Sequence, residues 1–250
     1  MQLWVVIPFY NEERLIESCL TALTRQSDMS FNMVLVNNAS TDGSPRIVKD
    51  FLKAHPKLHA VLISEKQKGT GAAADTGFRY AIKHGATHIA RTDADAMPQA
   101  DWVAQIKNHF KAGARIIGGK LKPRKDEKNY RWWDGIIIPI LIIISERAPR
   151  YLHRSPEHKY PMFMIAGLNM AIDAKLYIEA GGFPRTSIDT VDEDLELHLR
   201  VCRLIPRKQA HFARDVIIHG SIRKVKAFGY IGILLWYWDR KLKPKTVDVR

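Results

Sequence analysis

Arg91-Thr92-Asp93-Ala94-Asp95-Ala96 is the stretch that decides the fold, because it places two carboxylates directly after the strand-like run 87–90. Side chains alternate along extended backbone, so Asp93 and Asp95 point to one face. In a parallel sheet the carboxyl ends of the strands line the ligand crevice. Two carboxylates there can hold a hard divalent cation, which in turn binds a diphosphate. The stretch therefore predicts chemistry on a nucleotide sugar or a nucleoside triphosphate.

Apolar strand-like runs alternate with helix-like segments around this stretch, a pattern typical of a parallel α/β sheet. The predicted strands are 3–7, 33–36, 60–63, 87–90, 115–121 and 216–218, and the predicted helices are 12–26, one beginning near Ser44, one ending near Ile82, and 100–111. Residues 122–160 break the pattern with charged, aromatic and proline-containing sequence around the apolar run 136–144. We therefore expect an α/β domain with an inserted subregion.

The composition is that of an ordinary globular protein, with 46% hydrophobic and 26% charged residues in a chain of 250. This length can bury the core of one large domain. Cys19 and Cys202 lie in helix-like apolar patterns, so we interpret them as small core residues in a reducing compartment. The first strand begins close to Met1, which leaves no room for a signal peptide. We therefore expect a cytoplasmic protein.

The formal net charge of +13 is concentrated near the C-terminus. Residues 203–250 hold twelve Lys or Arg and three Asp, a net charge of +9. Such a basic patch suits anionic lipid, nucleic acid or phosphorylated small molecules. No zinc-ligand spacing and no RNA-recognition signature accompanies it, so we expect no nucleic-acid partner.

Five sequence blocks, in this order, resemble the family 2 glycosyltransferases of GT-A fold. They read LWVVIPFYNEE, MVLVNNASTDGS, RTDADA, AGLNMAIDAKLYIEAGGFPR and VDEDLELHLRV, at residues 3–13, 33–44, 91–96, 166–185 and 191–201. The resemblance covers residues 3–220 and implies a Rossmann-like, mostly parallel central sheet flanked by helices. It implies a nucleotide-sugar-binding half at 1–121, an acceptor-side half of the same catalytic domain at 122–221 with the insertion 122–160, and a basic aromatic segment at 222–250.

The resemblance implies a nucleotide-sugar donor and a divalent metal ion, Mn²⁺ or Mg²⁺. Asp93 and Asp95 match the aspartates that meet the donor ribose and the metal, and His219 matches a histidine that completes the metal shell in several GT-A enzymes. The cation would stabilise the diphosphate as a leaving group. The expected donor-binding residues are Pro8, Tyr10, Asn11, Glu12, Asn37, Asn38, Asp75, Asp93, Ala94, Asp95, Gly167 and Asn169.

Two positions depart from the family pattern. Asn37 and Asn38 stand where an aspartate often binds the nucleotide base; an amide both donates and accepts, which leaves the choice of base open. Ala74-Asp75 replaces a frequent Arg-Asn pair, and the missing arginine removes a phosphate contact for which Lys66 or Lys68 could substitute. These departures leave open a degenerate glycosyltransferase that acts as a binding module.

The block Asp192-Glu193-Asp194 supplies the expected catalytic base. It matches the family's Glu-Asp motif, whose second residue, here Asp194, would take the proton from an acceptor hydroxyl; Asp192 and Glu193 are the alternatives. Acidic residues also stabilise a helix N-terminus, so capping of the following helix is a competing interpretation. Gly182 and Phe183, together with Glu193, are expected on the acceptor side.

These residues predict an inverting, metal-dependent glycosyltransferase that moves a sugar from a nucleoside-diphosphate sugar to a hydroxyl acceptor, either lipid-linked or a surface glycan precursor. Inversion follows from a single displacement assisted by one base. Nucleotidyl transfer is the alternative enzyme class, but the N-terminal sequence lacks the Gly- and Arg-rich activating loop that this chemistry needs.

The C-terminal segment has the composition of a helix that lies on a membrane surface. Its apolar run 227–238 contains Trp and Tyr, and the flanking cations are Arg223, Lys224, Lys226, Arg240, Lys241, Lys243 and Lys245. As helices this run and 136–144 would span about 18 and 14 Å, too short to cross a bilayer. We expect peripheral docking on the anionic inner face of the cell membrane, with 136–144 as a second contact. The alternative is packing on the catalytic domain or on a second subunit in a homodimer.

Overall fold

A computed structural model of the chain describes residues 1–141, 165–185 and 193–238, with side chains as far as residue 232. Its strands are β1 (Leu3–Phe9), β2 (Asn32–Asn37), β3 (Ala60–Ser64), β4 (His88–Arg91), β5 (Met97–Pro98), β6 (Ile116–Pro123), β7 (Met170–Asp173) and β8 (Ala210–Gly220). Its helices are α1 (Ile16–Thr24), α2 (Ser44–Ala54), α3 (Thr70–Lys83), α4 (Trp102–Lys111), α5 (134–141, as far as described), α6 (Ala174–Glu179), α7 (Glu193–Leu204) and α8 (Arg223–Trp238), which is bent at Gly229.

The eight strands of the described residues form one sheet in the order β3-β2-β1-β4-β7-β6-β8-β5. Strands β3, β2, β1 and β4 are parallel. Beyond β4, strand β7 runs antiparallel to both β4 and β6, β5 runs antiparallel to β8, and β6 and β8 are parallel. The predicted α/β class with a central sheet flanked by helices is confirmed. Strand β6 runs through residue 121, the predicted boundary between the two halves of the domain, so both halves contribute to one sheet.

Alternating side chains of the central strands contribute to two cores, one on each face of the sheet. Along β1, Val5 and Ile7 lie in the core that α1 and α4 cover, whereas Val6 lies in the core that α3, α6 and α7 cover. All three side chains are fully buried, as expected for a strand covered on both faces. Cys19 belongs to the first core and Cys202 packs against the second, both as free thiols.

Helix α3 packs closely against the sheet at Gly77. A Cβ atom at this position would lie 2.4 Å from Val6 Cγ1 and 2.9 Å from Val36 Cγ2, so only glycine fits without a shift of the helix. The residue before the helix, Gly69, donates its N–H to Asn38 Oδ1 at the end of β2 (2.9 Å). The small residues of α3 therefore bring its first turn against the carboxyl end of the sheet.

The first helix is shorter than predicted because the chain turns after β1. Residues 10–15 form this turn and α1 begins at Ile16. Asn11 has a φ of 53°, a left-handed conformation that asparagine tolerates better than most residues. Beyond residue 121, β6 continues to Pro123 and α5 begins at residue 134. The remainder of the predicted insertion, from residue 142, lies outside the described residues.

Candidate active site

Side-chain hydrogen bonds join the loops that follow β1 and β2. Asn11 donates its backbone N–H to Ser40 Oγ (3.1 Å), and its Oδ1 accepts the N–H of Thr41 (2.8 Å). Glu12 donates its backbone N–H to Ser44 Oγ (2.7 Å). Because both strands end at the same edge of the sheet, these bonds make one continuous rim there.

The side-chain amide of Asn38 is buried and is used within the protein. Its Nδ2 donates to the carbonyl oxygens of Glu65 (3.2 Å) and Gln67 (2.7 Å), and its Oδ1 accepts from Gly69. Both amide hydrogens are therefore occupied by the loop after β3. Asn37 is half-buried and its Oδ1 accepts the N–H of Ser40 (2.9 Å). Of the two predicted base-binding amides, Asn37 is the more available.

Arg91, the last residue of β4, is the centre of an acidic cluster. Its side chain is 2% exposed, and its Nε donates to Asp93 Oδ1 (3.2 Å) while its Nη1 donates to Asp194 Oδ1 (3.0 Å). Glu193 Oε1 lies 3.8 Å from Nη2. Burial alone would lower the pKa of Arg91, but the charges of Asp93, Asp194 and Glu193 outweigh burial and raise it. One buried cation thus joins Asp93, in the loop after β4, to the acidic start of α7.

The carboxylate of Asp194 is fixed from two sides. Its Oδ1 accepts from Arg91, and its Oδ2 accepts the backbone N–H of Gly167 (2.8 Å). A Cβ atom on residue 167 would lie 2.2 Å from Asp194 Oδ1, so the carboxylate occupies the space that this glycine leaves. The side chain keeps 20% of its surface exposed. An oriented carboxylate with remaining solvent access can take a proton from a hydroxyl group.

A second arginine, Arg223 at the start of α8, lies against the other aspartate of the motif. Its Nη2 is 2.9 Å from Asp95 Oδ2 and 2.8 Å from Glu12 Oε1. Burial raises the pKa of Glu12 to about 7, against the lowering effect of the bond from Arg223. The other oxygen, Glu12 Oε2, is buried and has no hydrogen-bond partner among the residues described.

A third arginine, Arg124 just after β6, holds the backbone of the loop that contains Asp95. It is almost fully buried, and it donates to the backbone oxygen of Asp95 (3.1 Å), to Ser18 Oγ (2.9 Å) and to Asp126 Oδ2 (2.6 Å). Sequence reasoning missed all three arginines. Only Arg91 carried a local signal, since it directly precedes the aspartate pair and continues a buried strand.

Two predicted donor-binding residues, Asp75 and Asn169, lie in the interior. Asp75 is fully buried and accepts from Tyr177 Oη (2.9 Å), Arg79 Nε (2.8 Å) and Arg185 Nη1 (3.2 Å). Asn169 is also fully buried; its Oδ1 accepts from Trp102 Nε1 (2.9 Å) and its Nδ2 donates to two carbonyl oxygens of β6 and β8. These bonds give both side chains a part in packing the domain.

Two of the predicted acceptor-side residues, Gly182 and Phe183, form a turn that packs against Asp75 and Arg91. Gly182 has a φ of 74°, and a Cβ atom there would lie 2.8 Å from Asp75 Oδ1. The next residue, Phe183, is 2% exposed, and its ring centroid is 5.4 Å from the guanidinium of Arg91. The ring of Phe183 therefore packs against the guanidinium at the centre of the acidic cluster.

Of the remaining donor-site predictions, Pro8 and Ala94 are buried, whereas Tyr10 is partly exposed. Lys68 Nζ lies 5.4 Å from the centroid of the Tyr10 ring. The pair brings an ammonium group and an aromatic face to the end of β1.

The carboxylate oxygens of Asp93 and Asp95 suit a hard divalent cation whose remaining ligands come from a phosphate group. Within the described residues no three His, Cys, Asp or Glu side chains are arranged to hold a metal ion by themselves. Nucleotide-bound Mg²⁺ commonly takes only one or two carboxylates and completes its shell with phosphate oxygens and water. Asp93 and Asp95 can supply these, and the unbonded Glu12 Oε2 marks a further buried acceptor close by.

His219 lies on β8, where it pairs in register with Met97, two residues past Asp95. Burial, followed by the charge of Lys122, lowers the pKa of His219. The neutral imidazole is the form that binds metal ions. Its role as a ligand stays a prediction.

Comparison with known proteins agrees with this geometry. The family model "Glycosyl transferase family 2" matches residues 4–179. "Glycosyltransferase AglE" of Haloferax volcanii is 32% identical over 121 residues, which cover 47% of this chain and 38% of that protein. A "UDP-N-acetylglucosamine--dolichyl-phosphate N-acetylglucosaminyltransferase" of Methanococcus voltae is 26% identical over 141 residues, 51% of this chain and 55% of that protein. The chain thus spans roughly two fifths to a little over half of these two relatives.

Solved structures share the fold at low sequence identity. S. aureus TarS 1–349 in complex with UDP-GlcNAc superposes with a TM-score of 0.65 at 15% identity, covering 88% of this chain and 58% of that one. The mannosyltransferase PcManGT from Pyrobaculum calidifontis, in complex with GDP-Man and Mn²⁺, superposes with a TM-score of 0.63 at 23% identity, covering 98% and 65%. Since the family match extends over most of the chain and the sheet is that of these enzymes, the chain belongs to glycosyl transferase family 2 and has its GT-A fold.

Proposed function

We propose that the protein is an inverting, metal-dependent glycosyltransferase that moves a sugar from a nucleoside-diphosphate sugar to a hydroxyl acceptor. The observation that carries this proposal is the guanidinium of Arg91, which donates hydrogen bonds to both Asp93 and Asp194. The predicted donor-binding aspartate and the predicted base are therefore bridged by a single side chain. A transferase needs a leaving-group site and a base on either side of the reacting carbon, and this cluster offers both.

In this proposal Asp93 and Asp95 hold the donor through a divalent cation. Mn²⁺ or Mg²⁺ would neutralise the diphosphate and so make it a better leaving group. The structure of PcManGT in complex with GDP-Man and Mn²⁺ supports a divalent ion at such a site. Arg124 holds the backbone of Asp95 in place, and the half-buried Asn37 and Tyr10 lie on the rim where the nucleotide would bind.

The transfer step is a single displacement. The acceptor oxygen forms its bond to the anomeric carbon while the bond from that carbon to the diphosphate oxygen breaks, and the hydroxyl proton passes to Asp194. General-base assistance of this kind contributes about 10²–10⁴ in rate. Arg91 orients the carboxylate of Asp194 through a hydrogen bond to Oδ1, and the backbone N–H of Gly167 fixes its second oxygen.

The test is a panel of UDP-, GDP- and dTDP-sugars with Mn²⁺, assayed on the wild type and on Asp194→Asn. We expect one donor to raise the Tm only with Mn²⁺; ligand at a hundredfold excess over Kd stabilises by about 2.7 kcal/mol. Asp194→Asn should keep this shift while kcat falls at least ~10²-fold. Donor binding without any turnover by the wild type would instead support the degenerate alternative. A near-normal kcat in the variant would move the base to Glu193 or to Asp192, which lies outside the described residues.

We further propose a lipid-linked acceptor and a membrane-facing surface formed by α5 and α8. Both helices expose apolar side chains: Trp132, just before α5, is 73% exposed, Ile136 56% and Ile231 74%. Asp134 joins the helices, because it accepts from Lys226 Nζ (2.8 Å) and from Tyr230 Oη. No helix in the described ranges is long and apolar enough to span a membrane.

Two findings bear on this surface in opposite directions. The relatives include the dolichyl-phosphate enzyme of Methanococcus voltae and a "Polyprenol monophosphomannose synthase" of Mycolicibacterium smegmatis, whose names support a lipid acceptor. However, two of the cations counted toward the membrane, Arg223 and Lys226, pair with acidic side chains of the protein instead. The cations from Arg240 onward lie outside the described residues. The apolar side chains therefore carry the proposal.

Vesicle co-sedimentation distinguishes this surface from an ordinary solvated face. Trp132→Ser/Ile231→Ser should lose pelleting with anionic vesicles, whereas the control Ile178→Ser, at a 60%-exposed position on α6, should pellet as the wild type does. Equal pelleting of all three proteins would contradict the proposal. A change from dimer to monomer in the double variant, measured by analytical ultracentrifugation, would favour the homodimer alternative.

A further inference from the structure

The guanidinium of Arg223 occupies a position where a cation is needed. One nitrogen, Nη2, is shared by Glu12 Oε1 at 2.8 Å and Asp95 Oδ2 at 2.9 Å. All three side chains are mostly buried, with exposed fractions of 26% for Arg223, 14% for Glu12 and 24% for Asp95. Two carboxylates this close together repel each other unless a positive charge lies between them. Arg223 supplies that charge.

We propose that Arg223 is the diphosphate-binding arginine of this protein, and that in the donor-free protein it stands in for the metal ion at Asp95. This inference rests on the function proposed above. In the presence of the cation and the diphosphate, Arg223 would release the carboxylate of Asp95 and donate to the phosphate oxygens instead. Arg223 is thus a residue that binds substrate, in addition to the aspartates of the motif.

Three features of the side chain support a phosphate partner. A guanidinium presents a planar fork of donors that matches phosphate oxygens, and it exchanges one oxyanion for another without a change in its own charge. The fork of Arg223 is only partly used, because Nη2 makes both carboxylate bonds, Nε donates to Ser221 Oγ (3.1 Å), and Nη1 has no hydrogen-bond partner among the described residues. Part of the side chain is in contact with solvent, since 26% of its surface is exposed.

The position of Arg223 also compensates for the arginine that is missing from α3. Ala74, which stands where the family frequently has an arginine, is fully buried in the second core, so α3 offers no cation at that point. Lys68 lies over Tyr10 at the end of β1, and Lys66 is exposed. Arg223, by contrast, is in direct contact with Asp95. The positive charge for the diphosphate therefore comes from α8 instead of α3.

If Arg223 both replaces the metal ion at Asp95 and binds the diphosphate, its removal should change the affinities for Mn²⁺ and for nucleoside diphosphate in opposite directions. A purely structural role would not do so. In Arg223→Gln, Mn²⁺ binding to the nucleotide-free protein should become about three- to tenfold tighter, because the competing charge is gone. Binding of nucleoside diphosphate in saturating Mn²⁺ should become at least about tenfold weaker, the usual effect of losing a charge-assisted hydrogen bond. If Arg223 only fastened α8, the variant would weaken both.

The experiment measures Mn²⁺ binding by electron paramagnetic resonance and nucleotide binding by calorimetry with UDP, GDP and dTDP, on the full chain. Arg223→Lys keeps the charge and loses the fork, so its Mn²⁺ affinity should stay within about twofold of wild type while diphosphate binding still weakens. Lys224→Gln removes a neighbouring exposed charge from the same helix and should change neither constant. Weaker Mn²⁺ binding in Arg223→Gln, or unchanged diphosphate binding, would overturn the assignment of Arg223 alone. Failure of the wild type to bind any of the three diphosphates with Mn²⁺ would overturn the proposed function with it.

Discussion

Replacing Arg91 by methionine removes the charge that holds the acidic cluster together and keeps a similar volume. The Arg91 side chain is 2% exposed, and its partners Asp93, Glu193 and Asp194 are 29%, 15% and 20% exposed. Loss of one partner from a buried ion pair costs about 3–5 kcal/mol, because the remaining charge stays buried without compensation. Since these carboxylates keep some contact with water, we expect the lower end of that range, about 3 kcal/mol of unfolding free energy.

A double-mutant cycle with Asp194→Asn isolates the contribution of one pair. The amide introduced by Asp194→Asn needs no counter-charge, so the double variant Arg91→Met/Asp194→Asn should be about 1–2 kcal/mol more stable than the sum of the two single changes. Urea unfolding at pH 7 gives the stabilities, and sugar transfer gives the activities. Transfer should fall at least ~10²-fold in every variant, because the base is either absent or no longer oriented. Strict additivity, or an Arg91→Met variant within about 1 kcal/mol of wild type, would refute a central role for this arginine.

Three further changes test neighbouring parts of the site. Asp95→Asn should abolish the Mn²⁺-dependent rise in Tm with nucleoside diphosphate, as EDTA should for the wild type; full activity in EDTA would contradict the metal site. Gly167→Ala places a Cβ atom 2.2 Å from Asp194 Oδ1 and should lower kcat at least about tenfold with donor affinity retained; the control Gly220→Ala, whose Cβ would meet nothing closer than 3.8 Å, should not. Burial lowers the pKa of His198 to about 4. Because the folded value lies below the unfolded one, stability is complete above about pH 6.5 and about 3 kcal/mol is lost as the pH falls to 4; urea titrations should show this loss, and His198→Gln should flatten it.

Local patterns were sufficient for the parallel half of the sheet. Strands β2 and β3 lie within a residue or so of their predicted ends, because a strand buried on both faces is a short apolar run that ends in a polar turn. The antiparallel insertion of β7 between β4 and β6 was not predicted, since pairing partners distant in the chain leave no local pattern. The same holds for the bond between Arg223 and Glu12, which lie at opposite ends of the chain.

Polar side chains at strand ends were the least predictable part of the site. Asn38 and Asn169 carry the residue type expected of ligand contacts, yet the side-chain NH2 group of each donates to backbone carbonyl oxygens of neighbouring loops and strands. A buried amide that joins loops and an amide that binds a nucleotide obey the same requirement, namely a partner for every donor and acceptor. Sequence alone identifies the need for a partner and not which partner meets it. The arginines Arg91 and Arg223 differ in that each one pairs with acids from a distant element.

Helix α8 contacts both the loop that contains Asp95 and the start of α5. Its first residue pairs with Glu12 and Asp95, and one to two turns later Lys226 and Tyr230 hold Asp134 at the start of α5. A ligand that draws Arg223 away from Asp95 changes the restraints on one end of this helix, and a surface that clamps Trp132 and Ile231 changes them at the other. Thermodynamic linkage makes any such effect reciprocal: the factor by which donor alters the affinity for the surface equals the factor by which the surface alters the affinity for donor. Measuring nucleotide binding with and without vesicles would therefore give the coupling free energy from either direction.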